Sequence, residues 1–318
     1  MIVSARPWRM ALAAILLGAA PAWAQSFPTQ RIQIIVPFSA GTVLDSMARV
    51  VAEQFTAELG QPAVVVNRPG AAGTIAFGEV AAAQPDGHTL IFAGQTQLTV
   101  QPHVKSNLPY QLESFAPVCR LFETPFALVV GADSPFKDFQ TFAAAARAKP
   151  GSINFGHSGV AAVPHLQGTL LAKAAGFRMA DIPYRSLGDQ IKDVISGTID
   201  ATVLSIGSFS PGKVRAIAVF NPKRSTTFPD VPTVAELGYS VPLTAANGLF
   251  ALNGSPPAVL ERLRTACARA FASDNFRAMA AQLDVNAELV VGDDFARRIQ
   301  DERREMKTLI GALGLGTR

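Results

Sequence analysis

Ile32-Gln33-Ile34-Ile35-Val36-Pro37-Phe38-Ser39-Ala40-Gly41-Thr42-Val43-Leu44-Asp45 decides the fold of this 318-residue chain. A short apolar run enters a Gly-containing turn. Beyond it Leu44, Ala48, Val51, Phe55 and Leu59 recur on one helical face, until Gly60 and Pro62 end the helix. A second turn of the same kind, Asn154-Phe155-Gly156-His157-Ser158-Gly159-Val160-Ala161-Ala162, opens into Val163-Pro164-His165-Leu166. Each turn points backbone N–H groups at a helix start, where partial positive charge collects. Two such turns facing each other across a cleft hold a small anion without any catalytic group. No G-x-G-x-x-G follows the first strand, so the dinucleotide fingerprint is absent. Asp45 keeps two readings: it caps and orients its own turn, or it touches the ligand directly.

Working outward, short apolar runs at 63–66 and 89–93 alternate with helical stretches, one of them expected over about 73–83. A new series begins at Phe126-Ala127-Leu128-Val129-Val130. It continues with a helix at 139–148, a strand at 152–155, a helix at 163–175, and strands at 179–183, 200–204 and 214–219. A strand at 248–252 precedes Ser255-Pro256-Pro257, a helix opening. The last helix carries Phe295, Ile299, Met306, Ile310 and Leu313 on one stripe. Alternating strands and helices predict an α/β fold with mostly parallel sheets flanked by helices. The likeness of 126–130 to 248–252 predicts two hinge crossings. One lobe then comprises 25–125 plus 253–318, and a second, 126–252, is inserted between them.

The N-terminus has Arg6 and Arg9, an apolar stretch from Met10 to Ala20 and then Ala22-Trp23-Ala24. This is the n-region, h-region and cleavage pattern of a secretory signal over 1–24. The apolar stretch is shorter than the ~20 residues of a membrane span, so an exported, soluble, periplasmic chain starting near Gln25 is expected. Its net charge of +4 falls to +2 without Arg6 and Arg9, and no Lys/Arg cluster argues for nucleic acid. Cys119 and Cys267 either pair in an oxidising compartment or stay as two separately buried thiols. No metal-ligand spacing and no cofactor motif appears, so neither metal nor cofactor is expected.

Val36-Pro37-Phe38, Gly41 and Asp45-Ser46-Met47-Ala48-Arg49 resemble the opening motif of the Bug-type receptors, the extracytoplasmic solute-binding proteins of tripartite tricarboxylate transporters. The resemblance continues in order through Gly60-Gln61-Pro62, Val65-Val66-Asn67-Arg68-Pro69-Gly70, Pro85-Asp86-Gly87-His88-Thr89-Leu90, Phe115-Ala116-Pro117-Val118 and Asn154-Phe155-Gly156. It ends with Pro183-Tyr184-Arg185 and Pro229-Asp230-Val231-Pro232-Thr233-Val234-Ala235-Glu236. No one segment is specific; the ordered set is.

This resemblance implies a type II periplasmic-binding-protein fold, a monomer whose two lobes close on a small carboxylate for delivery to membrane transporter subunits. A ligand-presenting module for a membrane sensor kinase is the alternative. Carried onto this chain, the ligand-binding positions are Phe38, Ser39, Ala40, Gly41 and Asp45 on one lobe, and His157, Ser158, Gly159, Val160, Ala161 and Ser205 on the other. Gln95 and Thr96 open on the cleft from the third strand, and Tyr184-Arg185 form the far wall. Arg185 either clamps a second carboxylate or pairs with Asp189 or Asp193.

Several positions depart from the family pattern. Thr42, Leu44, Ala161-Ala162, Ser186–Gln190 and Leu204-Ser205 remove hydroxyl and acidic partners, and 206–213 is shorter than in relatives. These changes predict a less polar mono- or dicarboxylate rather than an amino acid, whose ammonium wants a carboxylate opposite it. Gly207-Ser208-Phe209-Ser210-Pro211-Gly212-Lys213 mimics half a Walker A loop, but Val214 stands where a hydroxyl should hold Mg²⁺. Gly156–Val160 is not G-x-S-x-G, so a secreted hydrolase using His157 and Ser158 is the weakest reading and no enzyme is expected.

Overall fold

Strand β1 (Ile32–Val36) is covered on both sides, which explains its near-continuous apolar run. Ile32, Ile34 and Val36 pack into one core cluster, while Ile35 packs into another with Phe77, Ile91 and Phe250. The computed structural model describes residues 27–209, 212–241 and 243–316. The expected leader at 1–24 and Pro211 of the Walker-like turn lie outside these residues.

From β1 the chain passes through the first turn into α1 (Val43–Leu59), β2 (Ala63–Asn67), α2 (Thr74–Ala81) and β3 (Thr89–Gly94). Two short helical turns, α3 (Thr96–Thr99) and α4 (Gln101–Val104), precede β4 (Phe115–Glu123). The second series is β5 (Phe126–Gly131), α5 (Phe139–Ala148), β6 (Asn154–His157), α6 (Val163–Ala175), β7 (Ala180–Pro183), α7 (Leu187–Ser196), β8 (Ala201–Ser205) and β9 (Val214–Val219). The chain closes with β10 (Ala246–Leu252), α8 (Pro257–Ala272), α9 (Asp274–Gln282), β11 (Asn286–Val291) and α10 (Gly292–Leu313).

Two sheets result, ordered β11-β4-β10-β3-β1-β2 and β7-β6-β8-β5-β9. β1 pairs parallel with β2 and β3, and β6 pairs parallel with β7 and β8. The strands next to the crossings, β4, β5 and β10, pair antiparallel with their neighbours. One expected boundary needs correction. β10 belongs to the first sheet, between β3 and β4, so the return to the first lobe precedes Ala246 rather than following residue 252. The two crossings run side by side: Thr124 N–H donates to Ala245 O at 2.9 Å, and Asn247 Nδ2 donates to Thr124 Oγ1 at 2.9 Å. This paired segment joins the two sheets.

Helix α1 ends where the sequence predicts. Gly60 has φ 76° and donates its N–H to Thr56 O, closing the last turn in a left-handed conformation natural to glycine. Cys119 on β4 and Cys267 on α8 are joined as a disulfide, with Cα atoms 6.5 Å apart, which settles the alternatives left open by their spacing. Among the described residues, no helix is long and apolar enough to cross a membrane.

Candidate functional site

The first turn is held by its own aspartate. Thr42 caps α1, its hydroxyl accepting from Asp45 N–H at 3.3 Å. The Asp45 carboxylate is buried and accepts four hydrogen bonds: from Gly41 N–H at 2.9 Å, Asn67 Nδ2 at 2.9 Å, and Arg49 Nε and Nη2 at 3.0 and 2.9 Å. Asn67 Nδ2 also donates to Phe38 O at 2.9 Å. Burial alone would raise the Asp45 pKa. The bonds from Arg49, Gly41 and Asn67 together outweigh it and hold the carboxyl below its ordinary 3.8. Asp45 is therefore a positioning group, with both oxygens committed inside the protein.

The Gly41 N–H is committed too. Free donors at this turn come from its neighbours: the N–H groups of Ala40, Thr42, Val43 and Leu44 have no acceptor among the described residues. Ser39, Ala40 and Gly41 are exposed, while Phe38 is half-buried against the core.

Two histidines hold the second turn in the same way. Gly159 N–H donates to His157 Nδ1 and Ala161 N–H to His165 Nδ1, each at 3.2 Å. Ala161, at φ 59°, is kept in a left-handed conformation that costs a non-glycine residue about 1 kcal/mol. The imidazoles are 4.4 Å apart, and His165 Nε2 faces Asp181 Oδ2 at 3.7 Å. Burial first, and then the neighbouring His165, depress the His157 pKa to about 4, against the opposing pull of Asp181. Burial also lowers that of His165, with Asp181 opposing. Both rings are neutral at pH 7.

His157, His165 and Asp181 converge to within 4.8 Å, a clustering that the sequence spacing did not announce. Because each Nδ1 accepts a backbone proton, each neutral ring carries its own proton on Nε2. The Nε2 atoms therefore present N–H groups rather than lone pairs, and this donor set does not fit a metal ion. The same tautomers leave Ser158 without a base, because His157 Nδ1 takes the Gly159 N–H. Ser158 N–H and Val160 N–H have no acceptor among the described residues, and the Val160 side chain is half-exposed.

The two lobes meet around these turns. A β-carbon on Gly159 in the second lobe would stand 3.8 Å from Ala72 Cβ in the first, while within the first lobe one on Gly73 would stand 3.2 Å from Pro37 Cβ. Gln101 Nε2 reaches across to Ala161 O at 3.2 Å. The segment at 70–73 thus stands beside both turns, a placement not read from the sequence. Its signal was Gly70 and Gly73 bracketing two alanines, both of which adopt positive φ (48° and 55°).

Other expected positions fall less simply. Thr96 and Gln95 are buried. Gln95 lines a recess of about 280 Å³ with Arg120, Thr244 and Glu302. Burial pushes the Glu302 carboxyl up to about 7, although the Thr99 hydroxyl, 2.9 Å away, opposes it. The Tyr184 hydroxyl donates to Asp193 Oδ2 at 2.6 Å. Asp189 lies 3.7 Å from Lys192, and Arg185 is exposed with no partner among the described residues. Ser205 is half-buried at the end of β8, its carbonyl accepting from the Ser208 hydroxyl at 2.7 Å.

Comparison with known proteins agrees with this architecture. The chain is 31% identical over 311 residues to the UPF0065 protein of the gbd 5′ region of Cupriavidus necator, covering 96% of this chain and 94% of the relative. The solved structure of periplasmic binding protein BugD superposes with a TM-score of 0.85 at 27% identity, covering 92% of this chain and all of that one. MatC from Rhodopseudomonas palustris, solved with bound malate, gives 0.80 at 28% identity, covering 89% of this chain and all of that one. This chain, with its two sheets and flanking helices, shares their fold. The family described as tripartite tricarboxylate transporter family receptor matches residues 47–315, and the chain belongs to that family of solute-binding proteins.

Proposed function

We propose that this protein captures a small carboxylate between its lobes in the periplasm and delivers it to a tripartite tricarboxylate-type membrane transporter, with no bond made or broken. One observation carries this reading: both turns present backbone N–H groups without acceptors among the described residues, and the carboxylate buried beside them, Asp45, is already neutralised by Arg49. An anion is thus met by donors and a helix terminus, and the charge of Asp45 does not oppose it. Malate in MatC supports the ligand class. Arg185 is our candidate for a second carboxylate, because its guanidinium has no internal acceptor among the described residues.

A reversible receptor is expected to bind at about micromolar Kd, roughly −8 kcal/mol. Residues 27–318 contain no Trp, so calorimetry is the suitable probe. The test is mass spectrometry of small molecules released from purified protein, together with a thermal-shift screen of mono- and dicarboxylates, malate included. A released or stabilising acid is expected. Stabilisation by neutral sugars and by no acid overturns the assignment.

A further inference from the structure

Away from the two turns, one carboxylate bridges the lobes. Asp284 follows α9 in the first lobe and accepts from the Ser225 hydroxyl, from the Thr226 hydroxyl at 2.5 Å and from Thr227 N–H at 3.4 Å, all in the second lobe. Both sides of the contact are tied into their own lobes. Asp284 sits at the corner closed by Leu283 N–H to Met279 O and Val285 N–H to Ala280 O. The 225–228 segment is anchored by Arg224 on Glu236 and by Phe228 stacked on Phe209 at 5.5 Å. Beside this contact the backbones approach closely: a β-carbon on Gly207 would stand 3.0 Å from Val43 Cγ2 and 3.1 Å from Leu283 O. Val43 is the first residue of α1, so the lobes touch next to the ligand turn.

We propose that Asp284 is a positioning residue for solute capture, a latch whose carboxylate holds the 225–227 segment and sets the closed fraction of the receptor before solute arrives. The argument is one of population. A contact between the lobes stabilises the arrangement that contains it by its own free energy. A carboxylate that takes two hydroxyls and an amide is a strong acceptor set. Asp284 adopts φ 54°, which aspartate tolerates better than most residues, so the backbone there presents the carboxylate outward at modest cost. The latch rests on the reading that these lobes open and close around a solute, but it does not depend on which solute that is.

The test uses ligand-free protein with spin labels at Glu58→Cys and Lys149→Cys, exposed positions on opposite lobes, and reads the interlobe distance by pulsed electron resonance. Asp284→Gly removes the carboxylate while fitting the positive φ. It is expected to raise the open fraction about tenfold, as the loss of charged hydrogen bonds implies. Asp284→Asn keeps one acceptor and is expected to fall between. Thr226→Val, on an exposed residue, is expected to open the lobes less, and the double variant no further than Asp284→Gly alone. Superimposable distributions for Asp284→Gly and wild type overturn the latch, as do additive effects in the double variant. If Asp284→Gly fails to fold, Thr226→Val decides, and an unchanged distribution is then fatal. Since no solute is added, failure of the carboxylate assignment leaves this result readable.

Discussion

Replacing Asp45 by alanine tests the central claim about the first turn. The substitution strands Gly41 N–H, Asn67 Nδ2 and the Arg49 guanidinium, which now share a carboxylate only 3% exposed. Hydrogen bonds to a charged group contribute about 1.5–3 kcal/mol each, but Arg49 and Gly41 are exposed and water takes over their share. The expected loss of folding stability is therefore about 2–3 kcal/mol. Asp45→Asn, which keeps the shape and one acceptor, should lose about half as much. Carboxylate affinity should fall at least ~10-fold in the alanine variant, because the donors of Ala40, Thr42 and Val43 lose the frame that aims them. Urea unfolding and calorimetry with the acid found by mass spectrometry measure the two losses separately. A variant with full stability and no binding would refute the reasoning, since it would make Asp45 a ligand contact rather than a frame. A variant unchanged in both would refute it as well. The pH behaviour carries the same sign. A carboxyl held below 3.8 contributes stability that is complete above that value and fades as pH falls through the lower folded one.

Acid should act earlier through the histidines. With His157 depressed to about 4 from an ordinary 6.5, the unfolded chain binds the proton first, so stability falls as pH drops from about 6.5 toward 4, by at most about 3 kcal/mol. Urea midpoints across that range check it, and His157→Gln should flatten the curve. The Cys119–Cys267 bridge closes a loop of 148 residues, and replacing both cysteines by serine should lower stability by up to about 5 kcal/mol on the chain-entropy account. Denaturation of the double variant measures it. A loss below ~1 kcal/mol would show that the bridge constrains the unfolded chain little.

Where local pattern and burial coincide, the fold was legible. The helices at 139–148 and 163–175 and the strand at 32–36 begin and end as their apolar spacing predicts. β4 and β11 were not visible as strands. β4 interrupts its apolar run with Pro117 and Arg120, and Arg120 pairs with Glu123 and with Glu288 on β11. That compensation joins segments far apart in the chain, and no local window contains it. β10 looked like a member of the second lobe because its residues match β5. Sheet membership depends on partners, and its partners are β3 and β4. The disulfide is non-local in the same sense.

The glycine turns were legible as turns but not as machinery. Their N–H groups read from sequence as the ligand's donors, yet Gly41, Gly159 and Ala161 donate to Asp45, His157 and His165. The role of glycine here is conformational: φ is 81° at Gly41 and 119° at Gly159, values that let the chain fold back onto its own side chain. Each turn is thereby braced from within, and the neighbouring N–H groups are left pointing outward. On the proposed reading, the solute is met by those neighbouring N–H groups. An alanine at Gly41 or Gly159 would meet little steric resistance: among the described residues beyond its chain neighbours, the added carbon meets nothing within 4 Å at the first and Ala72 at 3.8 Å at the second. It should nonetheless weaken binding through the strained φ, and it should do so for every acid alike, whereas Arg185→Gln should discriminate against dicarboxylates alone.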